Sequence, residues 1–223
     1  MPNFWAALGS LWVNRYNRDG EARRLARSAT ANLTPVIVIT GGSRGIGLAL
    51  AHIFVSDGHT VALVARTNDD LNGAIKTFAA SDAGRIFAVS CDLTAPDAAE
   101  KIHTELERRG CYLEILVNNA GLGASGPFAD NDPGALDTLI ALNIAAVTRL
   151  TRRVLPGMIA RGQGGILNIA SLGGVIPGPH QAAYYASKAY VMSLTEAIAT
   201  ENSGRGVRIS VVAPGPVSYT HLI

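Results

Sequence analysis

At 223 residues the chain is long enough for one α/β domain with a substantial core, and short for two. Hydrophobic residues make up 48% and charged residues 16%, which excludes a disordered chain. A net charge of +2 gives no argument for nucleic acid or an acidic surface as partner. Two cysteines, Cys91 and Cys111, supply neither a disulfide framework nor a metal quartet, and read as inert thiols of a reducing compartment.

Residues 1–34 stand apart. Phe4, Trp5, Leu8, Leu11 and Trp12 recur at helical spacing, and the basic run NRYNRDGEARRLARS follows. The pattern suits an interfacial helix touching membrane or a partner, but a helix folded against its own domain or a loosely ordered extension is preferred. The apolar start has no basic residues before it and no small-residue cleavage site, so a secretory signal is not expected. No uninterrupted apolar run approaches the ~20 residues of a membrane span. The expected location is cytoplasmic.

From Val36 the texture changes to alternating strands and helices. VIVIT, TVALVA, IFAVS, EILVN, GILNIA and VRISVVA read as six buried strands. Helical stretches fall through about Ser56 and near Asn68–Ala80, Asp97–Arg109, Pro133–Ala160 and Ala182–Glu201. Apolar strands without polar alternation, each separated by a helix, predict a parallel sheet covered on both faces. This is a doubly wound, Rossmann-type α/β fold in a single domain.

The first strand runs into TGGSRGIG, with Gly41, Gly45 and Gly47 at the strand-to-helix turn. Glycines there let backbone approach a pyrophosphate, whose charge suits a helix N-terminus; such turns also occur for steric reasons alone. The second strand ends Ala65-Arg66-Thr67, with no carboxylate until Asp69. A carboxylate at that point would take the ribose hydroxyls of NAD, whereas arginines suit the 2′-phosphate of NADP. Arg66, with Arg44 in the glycine loop, therefore selects NADP(H), unless both are merely solvated.

Tyr184 and Lys188 stand at i and i+4, so on a helix they share a face. An ammonium beside a phenol favours the phenolate, making a proton donor and acceptor usable near neutral pH. Ser171, ending the apolar run Ile166–Ala170, is suited to hydrogen-bond the same substrate oxygen. The loop His180 reads as exposed rather than as a second acid.

TGGSRGIG, Asp92, the NNAG stretch at 118–121, Asn143, Ser171, Tyr184/Lys188 and Pro214-Gly215 together resemble, in order and spacing, the short-chain dehydrogenase/reductase family. The likeness covers roughly residues 35–217 and is strongest to its NADP(H)-preferring carbonyl and 3-oxoacyl reductases. It implies that Asp92 and Leu93 meet the adenine, although Asp92 alone suits a turn cap. It implies that Asn118 braces neighbouring strands while Asn119, Ala120 and Gly121 close the fourth strand against the cofactor. Ser43, Ile46, Pro214, Gly215 and Val217 are further implied cofactor contacts. Asn143 would hold a water in a proton relay to Lys188, and Lys188 would bind the nicotinamide ribose.

The expected function is NADPH-dependent reduction of a ketone or aldehyde, by a homodimer or homotetramer joined through helices near 133–160 and 182–201. Residues 35–223 are expected to form this domain in C-terminally truncated form. Relatives continue past Pro-Gly with a threonine, a substrate helix and a last strand, whereas here Tyr219 stands at the threonine position and the chain stops at Ile223. The rival expectation is therefore a nucleotide-binding protein without turnover, acting as a sensor or as partner of a full-length homologue.

Overall fold

The computed structural model describes residue 30 and residues 32–215. Almost all of the 1–34 extension lies outside the described residues, as do Val217, Tyr219 and Thr220. Six strands, β1 (Thr34–Thr40), β2 (Thr60–Ala65), β3 (Ile86–Ser90), β4 (Cys111–Asn118), β5 (Gly164–Ile169) and β6 (Val207–Val212), alternate with helices. These are α1 (Gly45–Ser56), α2 (Asn68–Ile75), α3 (Ala98–Arg108), α4 (Pro133–Ile140), α5 (Val147–Arg161) and α6 (Ala182–Glu201). The strands form one parallel sheet in the order β3-β2-β1-β4-β5-β6.

The run VIVI is apolar because both faces of β1 are covered. Ile37 and Ile39 pack with Leu50 and Phe54 of α1, while Val36 and Val38 pack on the other face with Ile102, Leu106 and Met158. The strand order reverses between β1 and β4, which opens a crevice at the carboxyl ends of the strands. The site described below occupies that crevice.

Four elements differ from the sequence expectation. Helix α2 ends at Ile75 rather than at Ala80. Thr77 Oγ1 donates to Ala74 O at 2.7 Å and Phe78 turns back to stack on His52, with ring centroids 4.0 Å apart. Strand β4 begins at Cys111, three residues before the apolar run, and the β1–β4 register slips so that Glu114 is the extra residue of a bulge. The helix expected over 133–160 is interrupted by a π turn at Ala141–Ala146, which joins α4 to α5. Strand β6, expected to be buried, is half-buried along its whole length because among the described residues it pairs only with β5.

The continuous stretch Pro133–Arg161 is long and apolar enough, by length and composition, to cross a membrane, although Asp137 and Arg149 interrupt its apolar run. The stretch holds both core and surface residues. Leu139, Ala146, Leu150 and Met158 are buried in the domain, and Arg149, Arg152 and Arg153 lie on the same stretch.

Polar groups also pin the sheet centre. Asn118 and Asn168 face each other across β4 and β5, and Asn118 Nδ2 donates to Asn168 Oδ1 at 2.8 Å and to Thr151 Oγ1 at 3.2 Å. Asn168 Nδ2 in turn donates to Thr195 Oγ1 on α6 at 2.8 Å. All four side chains are buried, so removing one strands its partners without water. Asn168→Ala should cost about 2–3 kcal/mol, seen as a lower urea midpoint at unchanged slope. An unchanged midpoint would show that the ladder contributes nothing.

Candidate active site

The turn after β1 is built by hydrogen bonds that the glycine pattern does not announce. Thr40 Oγ1 donates to Val117 O at 3.2 Å and accepts from the N–H of Asn119 and Ala120 at 2.9 and 3.1 Å. Asn119 Nδ2 donates back to Thr40 O at 2.9 Å and Gly41 O at 3.1 Å. The two strand ends flanking the crevice are thereby locked together. Gly41 is left-handed at φ +62° and takes its conformation from this bend. A Cβ on Gly47 would lie 2.4 Å from Gly41 O and 2.6 Å from Asn119 Nδ2, so only glycine fits there.

Helix α1 begins after Arg44, with no side chain capping it and no acidic residue in its first turn. Its N–H groups and positive dipole end are thus available to an anion. They border a cavity of about 710 Å³ lined by Gly41, Ser43, Arg44, Gly45 and Ile46, by Arg66 and Asp70, by Asp92 and Leu93, and by Asn119, Ala120 and Gly121. Both expected arginines are on this wall and exposed. Asp92 serves as a cap as well. Its Oδ1 accepts from Thr94 N at 3.0 Å and Thr94 Oγ1 at 2.8 Å, and these bonds hold its carboxyl below the usual range, with smaller help from Arg66 and Lys101. Asp70 is a wall residue absent from the sequence expectation, since the carboxylate noted there was its neighbour Asp69.

A second cavity, of about 550 Å³, is lined by Ser171, Leu172, Ile176, Tyr184, Tyr185, Lys188, Pro214 and Gly215. It shares Ile46, Asn119, Gly121 and Leu122 with the first, so the two adjoin. Ser171 Oγ accepts from Gly173 N at 3.1 Å, which uses a lone pair and leaves its proton to give. Lys188 is 6% exposed, and its Nζ donates to Ile169 O at 2.9 Å and lies 5.8 Å from the Tyr184 ring centroid. His180 is exposed, and only its carbonyl is engaged, accepting from Gly126 N at 2.8 Å.

The polar atoms of the Asn143 side chain all bind protein. Its Oδ1 accepts from Leu122 N at 2.9 Å, and its Nδ2 donates to Leu122 O at 2.8 Å and Ser187 Oγ at 3.0 Å. The side chain therefore holds the loop after β4, with both amide protons spent on protein. Asn143 and Lys188 nevertheless meet at Gly121, where an added Cβ would lie 3.3 Å from Asn143 Oδ1 and 3.5 Å from Lys188 Nζ. Thr40 and Ser187 escaped the sequence reading. A threonine closing a buried strand, and a serine abutting the candidate lysine, were the available signals.

Burial lowers the Lys188 ammonium from 10.5 to about 8. The folded pKa lies below the unfolded one, so between pH 8 and 10.5 the unfolded chain binds more protons and stability from this group rises with pH. The rise should approach about 3 kcal/mol. Lys188→Met should abolish it in a difference of denaturation midpoints taken from pH 7 to 10.5. Parallel profiles for the two proteins would refute the buried charge.

Residues 35–223 match the family described as short chain dehydrogenase. A short chain dehydrogenase of Pseudocercospora fijiensis is 37% identical over 183 residues, covering 81% of this chain and 59% of the relative. The 2-(S)-hydroxypropyl-CoM dehydrogenase 3 of Xanthobacter autotrophicus is 36% identical over 189 residues, 83% of this chain and 72% of that one. The chain thus spans under two thirds of the first of these relatives. Among solved structures, a metagenomic short-chain oxidoreductase in complex with NADP superposes with a TM-score of 0.76 at 39% identity, over 83% of this chain and 85% of that one. With the β1–β4 crevice, the glycine turn and the Ser171, Tyr184 and Lys188 cavity already in place, the chain belongs to the short-chain dehydrogenase/reductase family of oxidoreductases.

Proposed function

We propose that the chain is an NADP(H)-dependent reductase converting a ketone or aldehyde into an alcohol. The observation that carries this reading is the adjacency of the two cavities: the crevice walled by the glycine turn, Arg44 and Arg66 shares Ile46, Asn119, Gly121 and Leu122 with the cavity of Ser171, Tyr184 and Lys188. The residues present fit the cofactor. Gly41 and Gly45 put bare backbone on the cavity wall, α1 starts uncapped, and Arg44 and Arg66 offer two cations on one wall. Arginine forks in place of a carboxylate favour a 2′-phosphate over ribose hydroxyls.

NADPH supplies the hydride when bound. Ser171 donates its hydroxyl proton as a hydrogen bond to the substrate carbonyl oxygen and fixes that oxygen at Tyr184. Tyr184 passes its phenolic proton to the same oxygen as negative charge builds there. The Lys188 ammonium stabilises the phenolate left behind. Leu122, Leu172 and Ile176 line the substrate cavity, and Lys188 is its one charged wall residue among the described residues. We therefore assign a neutral substrate with an apolar substituent.

Titration of the purified chain with NADPH and NADH, followed by nicotinamide fluorescence, tests the cofactor. Arg44→Ala and Arg66→Ala should each weaken NADPH about tenfold and leave NADH unchanged, the scale of one lost charge-assisted contact. Equal affinities in the unaltered protein would remove the arginine argument. A carbonyl panel then tests the chemistry. Tyr184→Phe should lower kcat by about 10³-fold with NADPH affinity retained, since the proton donor alone is lost. Full turnover in that variant would overturn the role of Tyr184. NADPH binding with no turnover of any carbonyl would leave a nucleotide-binding protein.

A further inference from the structure

Ser187 stands between the two catalytic positions of α6, next to Lys188 and one turn after Tyr184, and is fully buried at 0% exposure. It is absent from the walls of both cavities, so it does not meet a ligand there. Its hydroxyl nonetheless joins three elements. Ser187 Oγ donates to Tyr184 O at 2.7 Å and accepts from Asn143 Nδ2 at 3.0 Å. Asn143, 1% exposed in the π turn, grips both backbone groups of Leu122.

The proton directions in this chain are fixed by its ends. Leu122 presents one N–H and one C=O, so the Asn143 amide has a single orientation that satisfies both. Its second amide proton then goes to Ser187. Tyr184 O is an acceptor only, so the Ser187 proton goes there and its lone pair takes the Asn143 proton. Every donor in the series is used once. The π turn matters because it sets Asn143 inward at 1% exposure, and such turns often mark sites of function.

We propose that Ser187 is a positioning residue, which registers the loop at Leu122 and the π turn at Asn143 against the catalytic helix at Tyr184. Leu122 and Tyr184 both line the same cavity. A hydrogen-bonded chain joining these two lining residues through the protein fixes their spacing, against which substrate must align. The kinetic half of the proposal rests on the reductase reading given above; the structural half does not.

The test is Ser187→Ala, with Ser187→Cys as a same-sized variant whose thiol bonds weakly, should the alanine protein fail to fold. Leu122 is far in sequence from residue 187, so loosening confined to α6 would leave its amide unmoved. Hydrogen exchange at the Leu122 amide should speed up about tenfold in Ser187→Ala, less in Ser187→Cys, with exchange along α6 unchanged. With a carbonyl substrate, kcat should fall about tenfold while KM and NADPH affinity stay within about twofold, the signature of lost alignment. Asn143→Ala should do the same, and the double variant should lose little more than either single one. Unchanged Leu122 exchange would overturn the bridge, and unchanged kcat the positioning role. If the unaltered protein reduces no carbonyl, the reductase reading fails while exchange still decides the bridge.

Discussion

A lysine ammonium held at 6% exposure is the constraint that organises this cleft. Burial disfavours the charge, which is why Lys188 titrates near 8 rather than 10.5. The protein answers with a carbonyl at the carboxyl end of a buried strand, Ile169 O at 2.9 Å. An ammonium has three donors, and this bond occupies one, leaving the others for whatever fills the cavity that Lys188 lines. A fully solvated lysine would be held less firmly and would act on a neighbouring phenol through a higher dielectric.

Holding Ile169 in place is then a requirement on the sheet. Strand β5 is buried throughout and gains partners on both sides, β4 and β6. The Asn118–Asn168–Thr195 series fixes β5 against both β4 and α6, the helix that carries Lys188. Beyond Ile169 the chain must also pass closely over α6. A Cβ on Gly174 would lie 2.8 Å from the Lys188 carbonyl carbon, and one on Gly178 would lie 2.4 Å from Tyr185 Cδ1. The glycines of the GGVIPGP loop thus serve close packing against α6. They also leave Val175 and Ile176 more than half exposed beside the cavity, at 62% and 63%.

The sheet was legible because strands covered on both faces are apolar at every position, and VIVI or ALV admits few other readings. The glycine turn and the Tyr184/Lys188 pair were legible from spacing. What escaped was polar chemistry that depends on distant partners. Thr40 looks like an ordinary strand end until Asn119, far along the chain, folds beside it. Asn143 in a helical stretch is only a mildly unfavourable residue, and its inward placement follows from a π turn that no periodicity signals. The early end of α2 had the same origin, since Phe78 left the helix to stack on His52 of another helix.

The shared wall of the two cavities explains why the loop after β4 carries so many hydrogen bonds. Asn119, Gly121 and Leu122 border both spaces. Asn119 is tied to β1 through Thr40 and Gly41, and Leu122 to the π turn through Asn143. Gly121, between them, stays bare so that Asn143 and Lys188 can both approach. A short segment anchored at both ends keeps the two binding spaces in fixed relation, and it sits where the strand order reverses. Hydride transfer demands that a cofactor and a carbonyl be held to within fractions of an ångström, so the stiffest part of such a cleft belongs between them.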